Sequence, residues 1–296
     1  MLREKILSRT VSAFAATCLV APAVAPAAAA DFSGAAALEY TRKAVAFGPR
    51  PPGSEANRKL QGYIEAQLKP LHCQISFDAF TAQTPAGGVP MRNIIAKFPG
   101  SSGRAIVITG HFDTKPMPGR VFVGANDGGS STGFLLELAQ VVNTTSHADD
   151  IYLVFFDGEE AFGEWSDTNG TFGSRHLADK WAEEGLLARI KALINVDMIG
   201  DKDLGILQET MSSAPLRRQV WQTATDLGYG KYFLNLAQAT EDDHLPFLQK
   251  GVNALDLIDF DYPPWHEDSD TMDKLSAQSL EIVGTVVLEV IHRLER

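Results

Sequence analysis

The 296-residue sequence predicts an α/β protein with a central mixed β-sheet flanked by helices on both faces. Short runs rich in β-branched and aromatic residues alternate with segments whose apolar residues recur at helical spacing, a pattern typical of this class. Hydrophobic residues make up 45% of the chain and charged residues 21%, which allows one sizeable core. Because no repeat or linker interrupts the pattern, a single domain is expected over residues 31–296.

The first 30 residues have the composition of a secretory signal peptide. Arg3, Lys5 and Arg9 precede an apolar, alanine-rich stretch that ends in small residues just before Asp31. This order matches the basic, apolar and small-residue regions of a cleavable signal. An uncleaved anchor is the alternative, because the apolar stretch approaches the roughly 20 residues that span a bilayer. We expect cleavage, and therefore a secreted or periplasmic protein with no stable membrane insertion afterwards.

The first half of the mature chain is expected to contain two helices followed by strands. A Gly-Pro-Arg-Pro-Pro-Gly stretch separates the helices, because proline and glycine cannot continue a helix. The runs that follow are short and rich in residues that favour strands. The predicted helices are Ala35–Phe47 and Glu55–Leu68, and the predicted strands are Gln74–Thr81, Asn93–Phe98 and Ala105–Thr109.

The second half alternates between helices and buried strands, which predicts helices on both faces of the sheet. The predicted helices are Ser131–Val142, Ser174–Trp181, Ala214–Leu227, a short one at Asp243–Gln249 and a closing amphipathic one at Ser276–Arg293. The predicted strands are Ile151–Phe156, Ala192–Val196 and Ala254–Ile258.

The charge balance argues against nucleic acid as a partner. The formal net charge is −11, and no run of lysine and arginine interrupts the acidic sequence. Phosphate contacts need clustered cations, so we expect no nucleic-acid binding and interpret the charge as a solvated acidic surface.

Titratable side chains follow four of the predicted strands. In open α/β sheets, functional groups gather just beyond the carboxyl ends of strands, so these side chains are expected to meet in one crevice. Several carboxylates in one crevice repel each other unless a cation or shared protons compensate. The side chains concerned are His111, Asp113, Asp157, Glu159, Glu160, Asp197 and His266, with Trp265 beside the last.

A zinc ion is the expected compensation. Carboxylates with imidazole suit catalytic zinc, which takes three protein ligands and keeps one position open, whereas Mg²⁺ and Ca²⁺ prefer oxygen ligands alone. The adjacent Glu159 and Glu160 suit a division of labour in which one carboxylate binds the metal and the other serves as a base.

Two sets of motifs give the chain a family resemblance. The first is Phe155-Phe156-Asp157-Gly158-Glu159-Glu160-Ala161-Phe162 with Trp165 and then Gly173-Ser174-Arg175-His176-Leu177. The second is Asp242-Asp243-His244-Leu245-Pro246-Phe247-Leu248 with Trp265-His266. On these motifs the mature chain, from Gly48 to Asp268, resembles the zinc aminopeptidase superfamily and, more narrowly, the glutaminyl-peptide cyclotransferases (glutaminyl cyclases).

The resemblance implies a zinc-exopeptidase-like catalytic domain over residues 31–296, with one Zn²⁺ per chain held by Asp127, Glu160 and His266. It implies that Glu159 is the acid/base. The implied reaction is cyclisation of the N-terminal glutamine of peptides or proteins to pyroglutamate with release of ammonia. We expect a monomer.

Further roles are implied around that centre. The resemblance places Asp197 and Asp242 in a carboxyl network with Glu159, and it places Trp165 and Trp265 at the pocket for the glutamine side chain. Capping of the following helix by Asp242 or Asp243, and simple packing of the two tryptophans, are the alternatives for this segment and these residues.

Two other functions remain open. A two-zinc aminopeptidase would use His111, Asp127, Glu160, Asp197 and His266 as ligands, and the Gly-Gly-Ser-Ser-Thr-Gly segment after Asp127 is closer to the peptidase style. His111 is the ambiguous position, because it ligates the second metal in peptidases and is unused in glutaminyl cyclases. A non-catalytic zinc- or peptide-binding module is the third possibility, because sites are also lost on old folds.

Overall fold

A computed structural model describes residues 31–296, and the predicted mixed sheet lies at their centre. Its six strands are β1 Gln74–Thr84, β2 Gly87–Phe98, β3 Ala105–His111, β4 Asp150–Phe156, β5 Ile190–Asp197 and β8 Ala254–Ile258. A separate two-stranded sheet contains β6 Ile206–Glu209 and β7 Phe233–Gln238. The helices in the described part of the chain are α1 Gly34–Val45, α2 Glu55–Leu68, α3 Gly129–Val142, α4 Phe172–Glu183, α5 Ala214–Asp226, α6 Leu245–Gln249 and α7 Ala277–Glu295.

The strand order of the large sheet is β1-β2-β4-β3-β5-β8. β1 and β2 form an antiparallel hairpin, and β2 is also antiparallel to β4. β4, β3, β5 and β8 are parallel to one another. The carboxyl ends of these four strands therefore open at the same edge of the sheet, where functional loops are expected.

Helices cover both faces of the sheet, as predicted. On one face α1, α2, α3, α5 and α7 pack against inward residues such as Ile106, Leu153 and Ile194. On the other face α4 and α6 pack, through Trp181 and Phe247, against the alternate residues of the same strands. Because β3 and β4 are buried along their whole length, they read in sequence as continuous apolar runs.

The predicted elements agree with the structure apart from one sheet. Glu55–Leu68 and Ala254–Ile258 match the predicted bounds, and the other predicted elements are displaced or extended by a few residues. β6 and β7 were missed, because β6 has only four residues and β7 is half exposed, with no clean apolar alternation. The predicted signal peptide, residues 1–30, lies outside the described residues. Within the described range, the helices are too short or too polar to cross a bilayer.

Candidate metal centre and active site

The candidate side chains gather at the carboxyl ends of the parallel strands, as the sequence predicts. β3 ends at His111 and β5 ends at Asp197. Glu159 and Glu160 follow β4, and His266 lies in the loop after β8. The parallel pairing of these strands therefore brings residues that are far apart in sequence to one edge of the sheet.

A cleft of about 630 Å³ opens at this edge. Acidic groups and one imidazole form its floor, and two tryptophans stand at its rim. Its lining includes Asp127, Glu159, Glu160, Asp197, Asp242, His266, Trp165, Trp265, Ile258 and Phe260. All the catalytic, substrate-binding and metal-ligating positions predicted from the sequence thus face a single cavity.

Asp127 enters the cleft on a loop that requires glycine. Gly124 and Gly128 flank it with φ values of 50° and 75°, in the left-handed region. A Cβ at Gly124 would lie 2.4 Å from the Asp127 carbonyl oxygen, and one at Gly128 would lie 2.4 Å from the Asp113 carbonyl oxygen. The buried Asp270 carboxylate accepts the N–H groups of Asn126 and Asp127 at 2.9 and 3.2 Å. The loop therefore fixes the Asp127 side chain by its backbone.

Asp127, Glu160 and His266 converge, each offering a ligand atom within 4.8 Å of the others. His266 Nε2 lies 3.2 Å from Glu160 Oε1 and 3.4 Å from Asp127 Oδ2. His266 itself has φ 55°, so its backbone is held in an uncommon conformation that aims the ring into the cleft.

The group formed by Asp127, Glu160 and His266 is suited to bind a cation. The buried Oδ2 of Asp127 has no hydrogen-bond partner within residues 31–296, and Glu160 is buried beside it. Burial, together with the charge of Asp127, raises the pKa of Glu160, so the pair is costly without a positive charge between them. Two carboxylates with one imidazole and an open side toward the cleft are the donors of a catalytic zinc site.

A second group of possible ligands shares Asp127. His111 Nε2 lies 3.2 Å from both Asp127 Oδ1 and Asp197 Oδ1. His111 is buried below the cleft, and its Nδ1 lies 3.6 Å from Asp113. This is the arrangement that a second metal would require, so His111 stays the ambiguous position.

Asp113 positions the two glutamates. Its carboxylate accepts the backbone N–H of Glu159 at 3.1 Å and that of Glu160 at 3.3 Å. Gly158, in the left-handed region at φ 76°, makes the turn that leads from β4 into this segment. Asp113 thus acts through the backbone, as an orienting group and not as a member of either ligand set.

Burial raises the pKa values of the carboxyl groups that line the inner wall of the cleft. The pKa of Glu159 lies well above its usual range because the side chain is buried and because Glu160 and Asp242 are close. Burial raises the pKa of Asp197 to about 7, with a further contribution from Asp242. The pKa of Asp242 is raised by burial as well. Groups this close titrate together, so the raised pKa values belong to the cluster and not to single residues.

Asp242 does not cap a helix. α6 begins at Leu245, its N-cap residue is His244, and no side chain accepts a hydrogen bond from its first turn. The Asp242 carboxylate instead accepts the N–H of Asp243 at 2.5 Å and lines the cleft. The capping alternative is therefore wrong.

Both tryptophans are partly exposed at the rim. Trp265 is 40% exposed and stacks on the His266 ring, with 4.2 Å between the ring centroids. Trp165 is 38% exposed, and its indole N–H donates to Glu241 at 3.0 Å. Side chains that pack in a core are not exposed to this extent, so these faces are available to a ligand.

Sequence reasoning missed two buried acids near the site. Asp270 fixes the Asp127 loop, and Asp256, in the middle of β8, lies close to Asp242. Asp270 gave no signal, since it lies in a polar loop. A lone aspartate within the apolar run Ala254–Ile258 was a signal, because an unpaired charge is rare inside a buried strand.

Residues 93–291 match the profile of peptidase family M28. The glutaminyl-peptide cyclotransferase of Drosophila melanogaster is 31% identical over 273 residues, which cover 83% of this chain and 76% of that protein. The chain belongs to peptidase family M28, among the glutaminyl cyclases. The cyclotransferase of Bos taurus is 29% identical over 298 residues, covering 82% of this chain and 79% of the relative.

Solved structures similar to this chain have the same fold. The glutaminyl cyclase of an Acidobacteriales bacterium superposes with a TM-score of 0.88 at 40% identity, covering 93% of this chain and 99% of that one. A Zn-dependent exopeptidase of Parabacteroides distasonis superposes with a TM-score of 0.81 at 29% identity, over 89% and 99% of the two chains. The sheet with helices on both faces is therefore the fold of this family, as predicted.

Proposed function

We propose that the protein cyclises the N-terminal glutamine of peptides or proteins to pyroglutamate and releases ammonia. The observation that carries this proposal is the cleft, in which a three-residue metal group lies beside a buried acid and below two tryptophans. The similarity to glutaminyl cyclases along most of the chain supports the same reaction.

Asp127, Glu160 and His266 would hold one zinc ion. The ion supplies Lewis acidity that polarises a carbonyl group. The remaining chemistry belongs to the substrate, whose own α-amine attacks its γ-carboxamide carbon. A C–N bond forms within the ring, the bond to the amide nitrogen breaks, and ammonia leaves.

Glu159 moves the proton. Its carboxylate accepts a proton from the attacking amine and returns it to the departing nitrogen. The role needs a pKa raised toward the working pH, and burial of Glu159 provides this. Asp197 and Asp242 line the cleft beside it and hold the α-amine through hydrogen bonds as it loses its proton.

Trp165 and Trp265 bind the glutamine side chain. Their exposed faces flank the opening above the metal group and exclude water from the short aliphatic part of the substrate. Residues beyond the first lie toward solvent, so broad tolerance at the second position is expected.

The test is to incubate the zinc-loaded protein with a glutamine-initiated peptide and measure both products. Release of ammonia with no free amino acid, at one zinc per chain, supports the cyclase. Metal binding with turnover of no such peptide would favour the non-catalytic module instead.

A two-zinc aminopeptidase is the second candidate, and the His111–Asp127–Asp197 group is the observation that favours it. That enzyme would release free amino acids without ammonia and would bind two zinc ions per chain. The two reactions are thus separated by the same incubation and by metal analysis.

We also propose export, with residues 1–30 as a cleaved signal peptide and residues 31–296 as a monomeric catalytic domain. The matching tests are N-terminal sequencing of the protein recovered from the periplasm or medium and its mass in solution. A first residue at or near Asp31 is expected.

A further inference from the structure

Asp256 is a buried carboxyl that none of the roles above uses. It lies in the middle of β8, is 0% exposed and does not line the cleft. Its backbone N–H donates to the Ser212 hydroxyl at 3.0 Å. Burying a carboxyl inside an apolar strand is costly, so its surroundings should reveal what it does.

One oxygen of Asp256 has a defined donor. Asn195, its neighbour across β5 and β8, donates from Nδ2 to Asp256 Oδ1 at 3.1 Å. Thr109 donates its hydroxyl to Asn195 Oδ1 at 2.7 Å, which fixes the orientation of that amide. Asp256 Oδ1 is therefore an acceptor.

The other oxygen, Asp256 Oδ2, is buried and receives no hydrogen bond from any donor in residues 31–296. The Asp242 carboxyl lies within hydrogen-bonding reach of the Asp256 carboxyl. Two carboxylates in such contact cannot both be ionised, so one proton lies between them. The charged groups that face Asp256 are Asp242, Asp197 and Glu209, which are all acidic.

The location of that proton follows from the neighbours. Asp242 accepts a backbone N–H from Asp243 and has His244 nearby, and both favour its ionised form. Burial, followed by the charges of Asp242 and Asp197, raises the pKa of Asp256 well above its usual range. Because Asp242 already accepts a backbone N–H while Asp256 Oδ2 has no donor among residues 31–296, we place the proton on Asp256.

We propose that Asp256 is a positioning residue that stays protonated and donates an O–H hydrogen bond to Asp242, holding the Asp242 carboxylate toward the cleft. The inference rests on the proposed function, in which Asp242 accepts a hydrogen bond from the substrate amine. Asp256 touches neither the substrate nor the metal group, and it acts only through Asp242.

The first test compares two substitutions at this position in the zinc-loaded protein. In Asp256→Asn the amide Nδ2 donates to Asp242 and Oδ1 accepts from Asn195, so both hydrogen bonds survive without a proton to lose. We expect kcat for ammonia release within about 3-fold of the parent. Asp256→Ala removes the donor to a charged group, which corresponds to roughly a 10- to 100-fold loss of kcat at unchanged zinc content.

A control variant separates positioning from stability. Asp259 is also buried, accepts the Gly205 N–H at 2.8 Å and lies outside the cleft. Asp259→Ala should lower the unfolding midpoint while leaving kcat close to that of the parent. Equal losses of kcat in Asp259→Ala and Asp256→Ala would overturn the proposal, because the effect would then be structural.

A second measurement does not depend on activity or on the folding of the alanine variant. The parent at neutral pH should show the carbonyl stretch of a protonated carboxyl, and Asp256→Asn should lack it. The infrared difference spectrum between the two proteins should therefore contain this band. Its absence, or a loss of kcat of more than 10-fold in Asp256→Asn at an unchanged unfolding midpoint, would overturn the proposal. If the parent releases no ammonia, the proposed function fails, and the infrared band alone decides whether Asp256 is protonated.

Discussion

Replacing Glu159 with glutamine removes the carboxylate that is proposed to carry the proton, while the new side chain keeps nearly the same size and shape. The side chain is 8% exposed, so solvent does not replace it as a base. General acid–base catalysis accounts for roughly 10² to 10⁴ in rate, or about 3 to 5 kcal/mol of transition-state stabilisation. We therefore expect kcat to fall by this factor. The zinc content should not change, because Glu159 belongs to neither group of converging ligand atoms.

The structure also predicts the effect on stability. Glu159 lies near Glu160, Asp242 and Asp243, which raise its pKa together with burial. A group whose pKa is raised on folding destabilises the fold once the pH exceeds its unfolded pKa, so the neutral glutamine should not lower the unfolding midpoint at pH 7. The assay is ammonia release from a glutamine-initiated peptide, with zinc analysis and thermal unfolding on the same samples. A kcat within 3-fold of the parent would refute the assigned role.

Four further changes test other parts of the site. His266→Ala should lose zinc and activity together, and stoichiometric zinc in that variant would contradict its role as a ligand. Trp165→Ala should lower kcat/KM for glutamine peptides by about 10-fold at unchanged zinc content, while Trp165→Phe retains most of it. Gly128→Ala should lower the free energy of unfolding by about 1–3 kcal/mol, because φ is 75° and the new Cβ meets a backbone oxygen at 2.4 Å. As a control, Gly62→Ala on the solvent-exposed face of α2, where a new Cβ meets open space, should not lower the free energy of unfolding. Burial alone would raise the pKa of Glu209, but its hydrogen bonds outweigh burial and lower the pKa from 4.5 to about 2. The ionised Glu209 therefore stabilises the fold by roughly 3 kcal/mol above pH 4.5, and this stabilisation is lost as the pH falls toward 2. In acid titrations followed by circular dichroism, Glu209→Gln should be less stable than the parent at pH 7 and should lose less stability over that interval.

The fold was predictable because its central strands are buried along their length. Ala254–Ile258 stands out as a short apolar run, and Glu55–Leu68 has apolar residues at helical spacing with Ser54 as its cap. The meeting of Glu160 and His266 also followed from the sequence, since residues after parallel strands reach the same edge. β7 was not predictable in this way, because half its residues face solvent.

The supporting residues of the site were harder to predict. Asp113 and Asp270 work by accepting backbone N–H groups of segments that are distant in sequence, so their partners are defined only by the folded chain. Asp256 acts on Asp242 across the interior, and no local pattern links the two positions. Sequence motifs therefore identify the side chains that face the cleft better than the side chains that hold them there.

Arg50 shows how so many acidic groups are held together before any ligand binds. It is fully buried, and its guanidinium donates to the carbonyl oxygens of Phe112, Val123 and Gly124 at 2.9, 2.5 and 2.9 Å. Burial lowers its pKa to about 10, while the charge of Asp270 opposes that change, so the side chain remains a cation at neutral pH. Because these carbonyls belong to the segments next to His111 and leading to Asp127, Arg50 links two walls of the site through their backbones. The backbone that presents the metal group is thus fixed by buried hydrogen bonds of the fold itself.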